Sequence, residues 1–302
     1  MGLFKGIRLR WGALAAALCL CTAAHSAAVN IVYPLTGGGS DVDSRYDYDW
    51  DVLRTALRKT EARFGPFTME QYKIAMSPQR IVQELRTGQG HINVFARATD
   101  PKLEEQFIPV RLPIDRGLLA YRLFLVRQAD LPRFAAVRNL DDLRALRAGL
   151  GKDWADIDIL RASNLPIVEG RTYDGLFAML AAGRFDYFSR AADEAMREQD
   201  ERQSKHPQLV VEPTLLLHYP LPLYFFLRRD AEGEALAKRI EAGMEIMIKD
   251  GSLDALFERY KRDVISKAHL KQRRIIKIPN PGLSPETPLS RTELWYNPLN
   301  AK

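Results

Sequence analysis

Beyond residue 28 this 302-residue chain contains no cysteine; the two it has are Cys19 and Cys21. Everything downstream is therefore without disulfides, thiolate nucleophiles or cysteine-held metals. No later apolar run approaches the roughly 20 residues that span a bilayer. Thr36-Gly37-Gly38-Gly39-Ser40 is glycine-rich but lacks the spaced Gly-Lys-Ser/Thr ending of a phosphate loop. It reads as a surface loop, or as a place where backbone comes close to a ligand. There is no Gly-x-Ser-x-Gly elbow and no serine paired with a base. His91, His206, His218 and His269 have no partner at metal-ligand spacing, so neither a metal nor a cofactor is expected. Asp47, Asp49 and Asp51 look like a helix entry and not a catalytic pair. An enzymatic reading would rest on Glu194 as general acid. No charge stripe argues for nucleic acid.

What is present begins with an export signal. Lys5, Arg8 and Arg10 precede the short apolar run Ala13–Cys21, and small residues follow to Ala28. This pattern is a signal peptide, residues 1–28, with cleavage after Ser26 or Ala28. Leu18 and Leu20 precede the cysteines where lipidation would need a small residue. The first 28 residues carry three positive charges and no acid, so their removal takes the net charge from +6 to +3. A periplasmic, monomeric protein of about two domains is expected, with 46% hydrophobic residues for its core.

Two stretches are alike. Gly90–Ala98 reads Gly-His-Ile-Asn-Val-Phe-Ala-Arg-Ala, and Gly183–Ala191 reads Gly-Arg-Phe-Asp-Tyr-Phe-Ser-Arg-Ala. Each follows an amphipathic helical pattern and reads as glycine turn, buried strand and arginine. Asn93 and Asp186 suit local backbone bonds. Phe124-Leu125-Val126-Arg127 and Phe226-Leu227-Arg228-Arg229 form a second similar pair, on two long strands. Elsewhere strands alternate with helices: Ser77-Pro78 opens one helix and Asn139 caps another. The class is α/β with mostly parallel sheets flanked by helices, and such sheets bind ligands at the carboxyl ends of their strands. Arg97 and Arg190 are expected there, past Phe95 and Phe188. They either grip a carboxylate or phosphate, or brace against acids such as Asp186 and Glu194. Trp154, after Gly151-Lys152-Asp153, stands where a helix start could hold an anion. From Lys267 to Lys302 five prolines mark an extended tail, with Trp295 and Tyr296 placed to dock back on the body.

The order of Leu85-x-x-Gly88, Leu180-x-x-Gly183-Arg184-x-Asp186, the strand from Tyr224 to Asp230, and Lys249-Asp250-Gly251-Ser252-Leu253 running to Tyr260 resembles the type II periplasmic binding proteins. The closest likeness is to the family-3 solute-binding proteins of ABC importers. The resemblance implies a two-lobe fold with two crossing hinge strands: lobe 1 from residues 29–125 and 219–266, lobe 2 from 126–218. It implies a ligand held between lobes that close on it, and a membrane permease or a sensor as partner. Family members carry an arginine where this chain has Lys102, and an acid where it has Ala191. The usual grip on an amino acid is thereby altered, and Arg97, Arg190 and Lys102 point to a small anionic ligand. Tyr33, Tyr46 and Tyr48 lie where similar proteins cover the ligand with aromatics, or else pack in the core. Three roles follow: delivery of an anionic or amino-acid-like solute to a transporter, sensing of a ligand for a membrane receptor, or an enzyme on the same fold.

Overall fold

The computed structural model describes residues 1–2, 28–36 and 44–298. Residues 3–27, which hold both cysteines and most of the expected signal peptide, and the loop Gly37–Ser40 lie outside the described residues. In chain order the first lobe's elements are β1 (Val29–Thr36), α1 (Asp47–Lys59), α2 (Glu61–Phe64), β2 (Phe67–Met76), α3 (Pro78–Thr87), β3 (Phe95–Ala98), α4 (Pro101–Gln106) and β4 (Phe107–Val110). Next come β5 (Tyr121–Arg127), α5 (Leu131–Ala135), α6 (Leu140–Leu143), β6 (Ala148–Gly151), α7 (Asp156–Ala162), β7 (Ile167–Gly170), α8 (Tyr173–Ala181), β8 (Tyr187–Ala191), α9 (Ala192–Arg202), β9 (Leu209–Val211) and β10 (Leu215–His218). The chain ends with β11 (Leu223–Arg228), α10 (Ala231–Lys249), α11 (Ser252–Ala268) and β12 (Arg274–Lys277).

Local chemistry sets the helix ends. The Ser77 hydroxyl accepts from the Arg80 amide with Pro78 at the first helical position, and Gly88 closes α3 in the left-handed region at φ 64°. Asp100 and Thr172 cap α4 and α8 in the same way. The Asp100-Pro101 signal for α4 was present in the sequence.

Among the described strands, β1–β2, β6–β7, β6–β8 and β10–β12 pair in parallel. Every antiparallel pairing involves β5 or β11. These are the two long strands that follow the crossings between lobes, and each is inserted against the run of its sheet: β5 beside β8, β9 and β10, and β11 between β3 and β4. β5 pairs only within the second sheet, so the change of lobe falls before Tyr121, ahead of the expected Leu125.

The two similar stretches occupy equivalent places. The Asn93 amide donates to Val32 O (3.0 Å), and its side chain accepts from Val32 N (3.0 Å) and donates to Asn30 O (2.7 Å). The Asp186 amide donates to Arg147 O (2.8 Å) and its carboxylate accepts from Arg147 N (2.7 Å). Asn93 therefore stitches its strand to β1, and Asp186 stitches β8 to the residue before β6. Because Asn93 makes that stitch with its side chain, the regular ladder begins later than expected, at Phe95 and not Ile92. The arginines of the crossing strands match as well: Arg127 lies under Gly183 and Arg228 under Gly88, one position earlier than the sequence pairing placed it.

One core joins α1, α10 and α11 through Leu53, Ala56, Ile240, Met244 and Phe257. Another fills the second lobe with Phe134, Leu150, Leu160 and Tyr187. Gly243 of α10 faces Ala56 of α1 so closely that a Cβ there would stand 2.1 Å from Ala56 O. Gly243→Ala is expected to cost about 1–3 kcal/mol through forced separation of the helices, read as a lower denaturant midpoint at unchanged m-value.

Candidate ligand cleft

A cavity of about 580 Å³ opens between the lobes. α3 and β3 form one wall, with Ser77, Gln79 and Arg97. The turn after β6 and the start of α8 form the other, with Trp154, Arg171 and Tyr173. Trp50, Asp49, Asp115 and Lys261 lie deeper on the first-lobe side.

Arg97 is a half-buried cation in the wall of this cavity. It sits inside β3 opposite Tyr224, and not past the strand's end. Its Nη2 donates to Asp153 O at 3.1 Å, across the cleft. Among the described residues it forms no ion pair. Burial draws its pKa below the usual guanidinium value, while Asp100 and Asp153 act the other way. A guanidinium has five N–H donors, so one backbone carbonyl leaves most of its capacity for a ligand. Asp153 itself adopts a left-handed backbone at φ 66°, uncommon outside glycine. In that conformation it also accepts from Gln79 Nε2 at 3.1 Å, so one residue receives two contacts from the opposite lobe.

Arg190 faces the same cavity, but its charge is already matched. It lies in β8, and its Nε donates to both carboxylate oxygens of Glu198 (2.9 and 3.0 Å). Its Nη2 reaches Glu198 at 2.7 Å and Glu194 at 3.1 Å. Glu198 is fully buried and also accepts from the Tyr173 hydroxyl at 2.8 Å. The guanidinium stands 4.8 Å from the Trp154 ring centroid. Burial opposes its charge, and Glu194 and Glu198 outweigh that, keeping Arg190 protonated. Asp186 is engaged elsewhere, with Arg133 and Arg147. The i, i+4 spacing of Glu194 and Glu198 on α9 was the sequence signal for this pair.

The remaining expected contacts divide. Trp154 lines the cavity, its ring 5.9 Å from that of Phe188. The first turn of α7 that follows already holds Asp156 and Asp158, which disfavours an anion at that helix start. Lys102 is exposed on α4, outside the cavity wall. Tyr33 is turned to Trp50, ring centroids 4.5 Å apart, away from the wall. Tyr48 is buried in the core and its hydroxyl donates to Ile114 O at 2.7 Å. Of the three tyrosines expected there only Tyr46 lines the cavity, together with Trp50 and Tyr173. Glu194 caps α9 by accepting from the Ala191 amide at 3.0 Å and pairs with Arg190, so it is spent on structure.

Sequence reading missed the deep acidic group. Asp49 and Asp115 are each 7% exposed, beside Asp193 and Lys261. Lys261 Nζ binds Asp193 at 2.5 Å and stands 5.0 Å from the Tyr48 ring centroid. Burial pushes the Asp49 carboxyl up to about 8; Asp115, Asp193 and Glu194 add to the shift, and Lys261 opposes it. Asp115 is pushed up to about 6 by burial, although it accepts from the Leu119 and Gly117 amides. With Arg122–Asp156, Arg190–Glu198 and Lys261–Asp193 paired internally, Arg97 remains, and exposed Lys152 and Arg171 add positive charge at the rim.

No family model matches the chain, and no curated protein matches it in sequence. Solved structures do match in shape. An ancestral arginine-binding protein bound to arginine has a TM-score of 0.54 at 16% identity, over 78% of this chain and 99% of that one. A histidine kinase sensor domain with similarity to periplasmic binding proteins gives 0.55 at 19%, over 78% and 96%. The B. pertussis BvgS periplasmic domain gives 0.55 at 16%, over 78% of this chain and 43% of that one. The chain has the two-lobe fold of the type II periplasmic binding proteins.

Because unfolded Asp49 would release its proton near 3.8 while the folded group keeps it to about 8, stability falls as pH rises through that interval. Each such proton contributes at most about 1.4 kcal/mol per pH unit. Asp49→Asn is expected to raise the melting temperature at pH 7.5 and to change it little near pH 4, in thermal unfolding followed by circular dichroism. A separate variant, Glu198→Gln, leaves buried Arg190 with Glu194 alone as its charge partner and is expected to cost up to about 3 kcal/mol in urea unfolding.

Proposed function

We propose that this chain is a periplasmic solute-binding protein whose lobes close on a small anionic or amino-acid-like solute. The observation that carries the reading is Arg97: a cation in no ion pair among the described residues, in a cavity lined from both lobes. A carboxylate or phosphate group would receive its guanidinium fork. Lys152 and Arg171 at the rim would add favourable field, and Tyr46, Trp50, Trp154 and Tyr173 would cover the ligand's body. Arg190 would shape the wall through its rigid pair with Glu198, without gripping the ligand. Contacts from both lobes would favour the closed state, the thermodynamic basis of hinge closure.

Two destinations for the bound state follow from the fold's relatives. Among structures of this shape are a substrate-binding protein of an amino-acid ABC transporter and a histidine kinase sensor domain. Delivery to a membrane permease is the first reading. Presentation to a membrane receptor is the second, supported by the likeness to the sensor domain. The acid that an enzymatic reading required, Glu194, is tied to Arg190 and to the start of α9. That supports binding over catalysis.

A thermal-shift screen over amino acids, dicarboxylates, phosphonates and short peptides tests the reading. A solute at 100 times its Kd is expected to stabilise the protein by about 2.7 kcal/mol. Arg97→Ala should abolish that shift at little cost to the ligand-free melting temperature, and Lys102→Ala should leave it intact. A hit that binds Arg97→Ala unchanged would overturn the assignment of the anion-binding group.

A further inference from the structure

The segment after α11 does not trail away from the body. His269 turns the chain in the left-handed region at φ 49°. Arg273, 8% exposed, then anchors the turn by donating to Ala268 O (2.7 Å), Leu215 O (3.2 Å) and Glu212 O. β12 runs parallel to β10 along its whole length, from Leu215↔Arg274 to His218↔Lys277. Arg274 N donates to Thr214 O at 2.7 Å and Ile278 N to His218 O at 3.0 Å. Ile276 and Ile278 are buried in the second-lobe core. Asn280 then donates to Pro220 O at 2.8 Å, on the passage between β10 and β11.

From there the chain returns to the first lobe. Arg291 forks onto Glu245 of α10 at 2.5 and 3.0 Å. Leu294 is 2% exposed, and the Tyr296 ring packs on Phe257 of α11 with centroids 5.1 Å apart. The Tyr296 amide donates to Arg116 O at 2.7 Å, and the Tyr121 hydroxyl to Tyr296 O at 3.3 Å. The Trp295 ring covers Gly117, where a Cβ would meet it at 2.5 Å. Arg116, Gly117 and Tyr121 belong to the other passage between the lobes. The final segment thus contacts both connections and is anchored on both lobes.

We propose that His269–Pro298 is a strap that stiffens the hinge and limits how far the cleft opens. Lobe motion in such folds is absorbed by a few residues of the connecting segments. Here one connection carries an added hydrogen-bonded strand, and the other is covered by Trp295 and Tyr296. Wide opening requires Leu294–Tyr296 to leave their seat on the first lobe, or β12 to leave β10. With the strap seated, the lobes are held near the closed arrangement even without ligand, where Gln79 and Arg97 reach Asp153. The inference rests on reading the lobes as moving bodies, and its test is independent of finding a ligand.

The measurement is a spin-label distance across the cleft, in the chain with Cys19 and Cys21 changed to serine. Gln83→Cys on α3 and Asp158→Cys on α7 supply exposed positions. The ligand-free parent is expected to show one narrow, short distribution. Arg291→Ala with Trp295→Ala should add a longer-distance population. A double variant that keeps the parent's circular dichroism and distance distribution would overturn the strap. So would a parent that is already broad. If the double variant does not fold, amide exchange on the parent decides. Arg274 and Ile278 should be protected as strongly as the amides of β5, and rapid exchange at both would overturn the proposal. Loss of the thermal shift in Arg97→Ala bears only on the ligand and leaves this test untouched.

Discussion

Arg122, Asp156 and Tyr219 form the contact on which the rest of the molecule depends. Arg122 lies at the start of β5, just after the first passage between lobes, and Tyr219 lies in the second passage, after β10. Asp156 opens α7 at the cleft wall. The Tyr219 hydroxyl donates to Asp156 at 2.5 Å, Arg122 Nε donates to Tyr219 at 2.9 Å, and the Arg122 guanidinium pairs with Asp156. All three are at most 5% exposed. A charge pair that deep is tolerable only with its remaining polar atoms satisfied, and Tyr219 supplies that. Both passages are thereby fixed to the same wall of the cleft.

From that fixed point the cleft takes its character. Internal pairing removes Arg122, Arg190 and Lys261 from the set of available cations. The anionic side is weakened in another way, since burial raises the pKa of Asp49 and Asp115. What faces the cavity is a small residue of charge centred on Arg97, set among aromatic rings. The same logic separates two arginines that look alike in sequence. Arg97 and Arg190 each stand one residue before the end of similar strands, but only Arg190 is followed by a helix that presents two glutamates four residues apart.

Much of the fold was legible. Residues that cap, turn or alternate act over a few positions, so Ser77-Pro78, Asn139, Gly88 and the two similar stretches could be read directly. The class of fold followed from the order of those elements. The position of β3 was not legible, because Asn93 replaces part of the ladder with its side chain, through a partner 61 residues away. The site was less legible than the fold. Arg97, Arg190 and Trp154 line the cavity, whereas Lys102, Tyr33 and Tyr48 do not. Tyr48 was drawn inward by Ile114 O, 66 residues on, which no local pattern announces.

The amino-acid sequence by itself determined the class, the element order, the doubled helix–turn–strand unit and the presence of an arginine at the end of each copy. These depend on backbone preferences and periodic burial, which operate within one turn or one strand. Only the tertiary structure decided which arginine is tied up in ion pairs, where the acids gather, and that the final residues lie along both connections between the lobes. Charge compensation and desolvation depend on what packs across a gap, and those neighbours come from segments far apart in the chain.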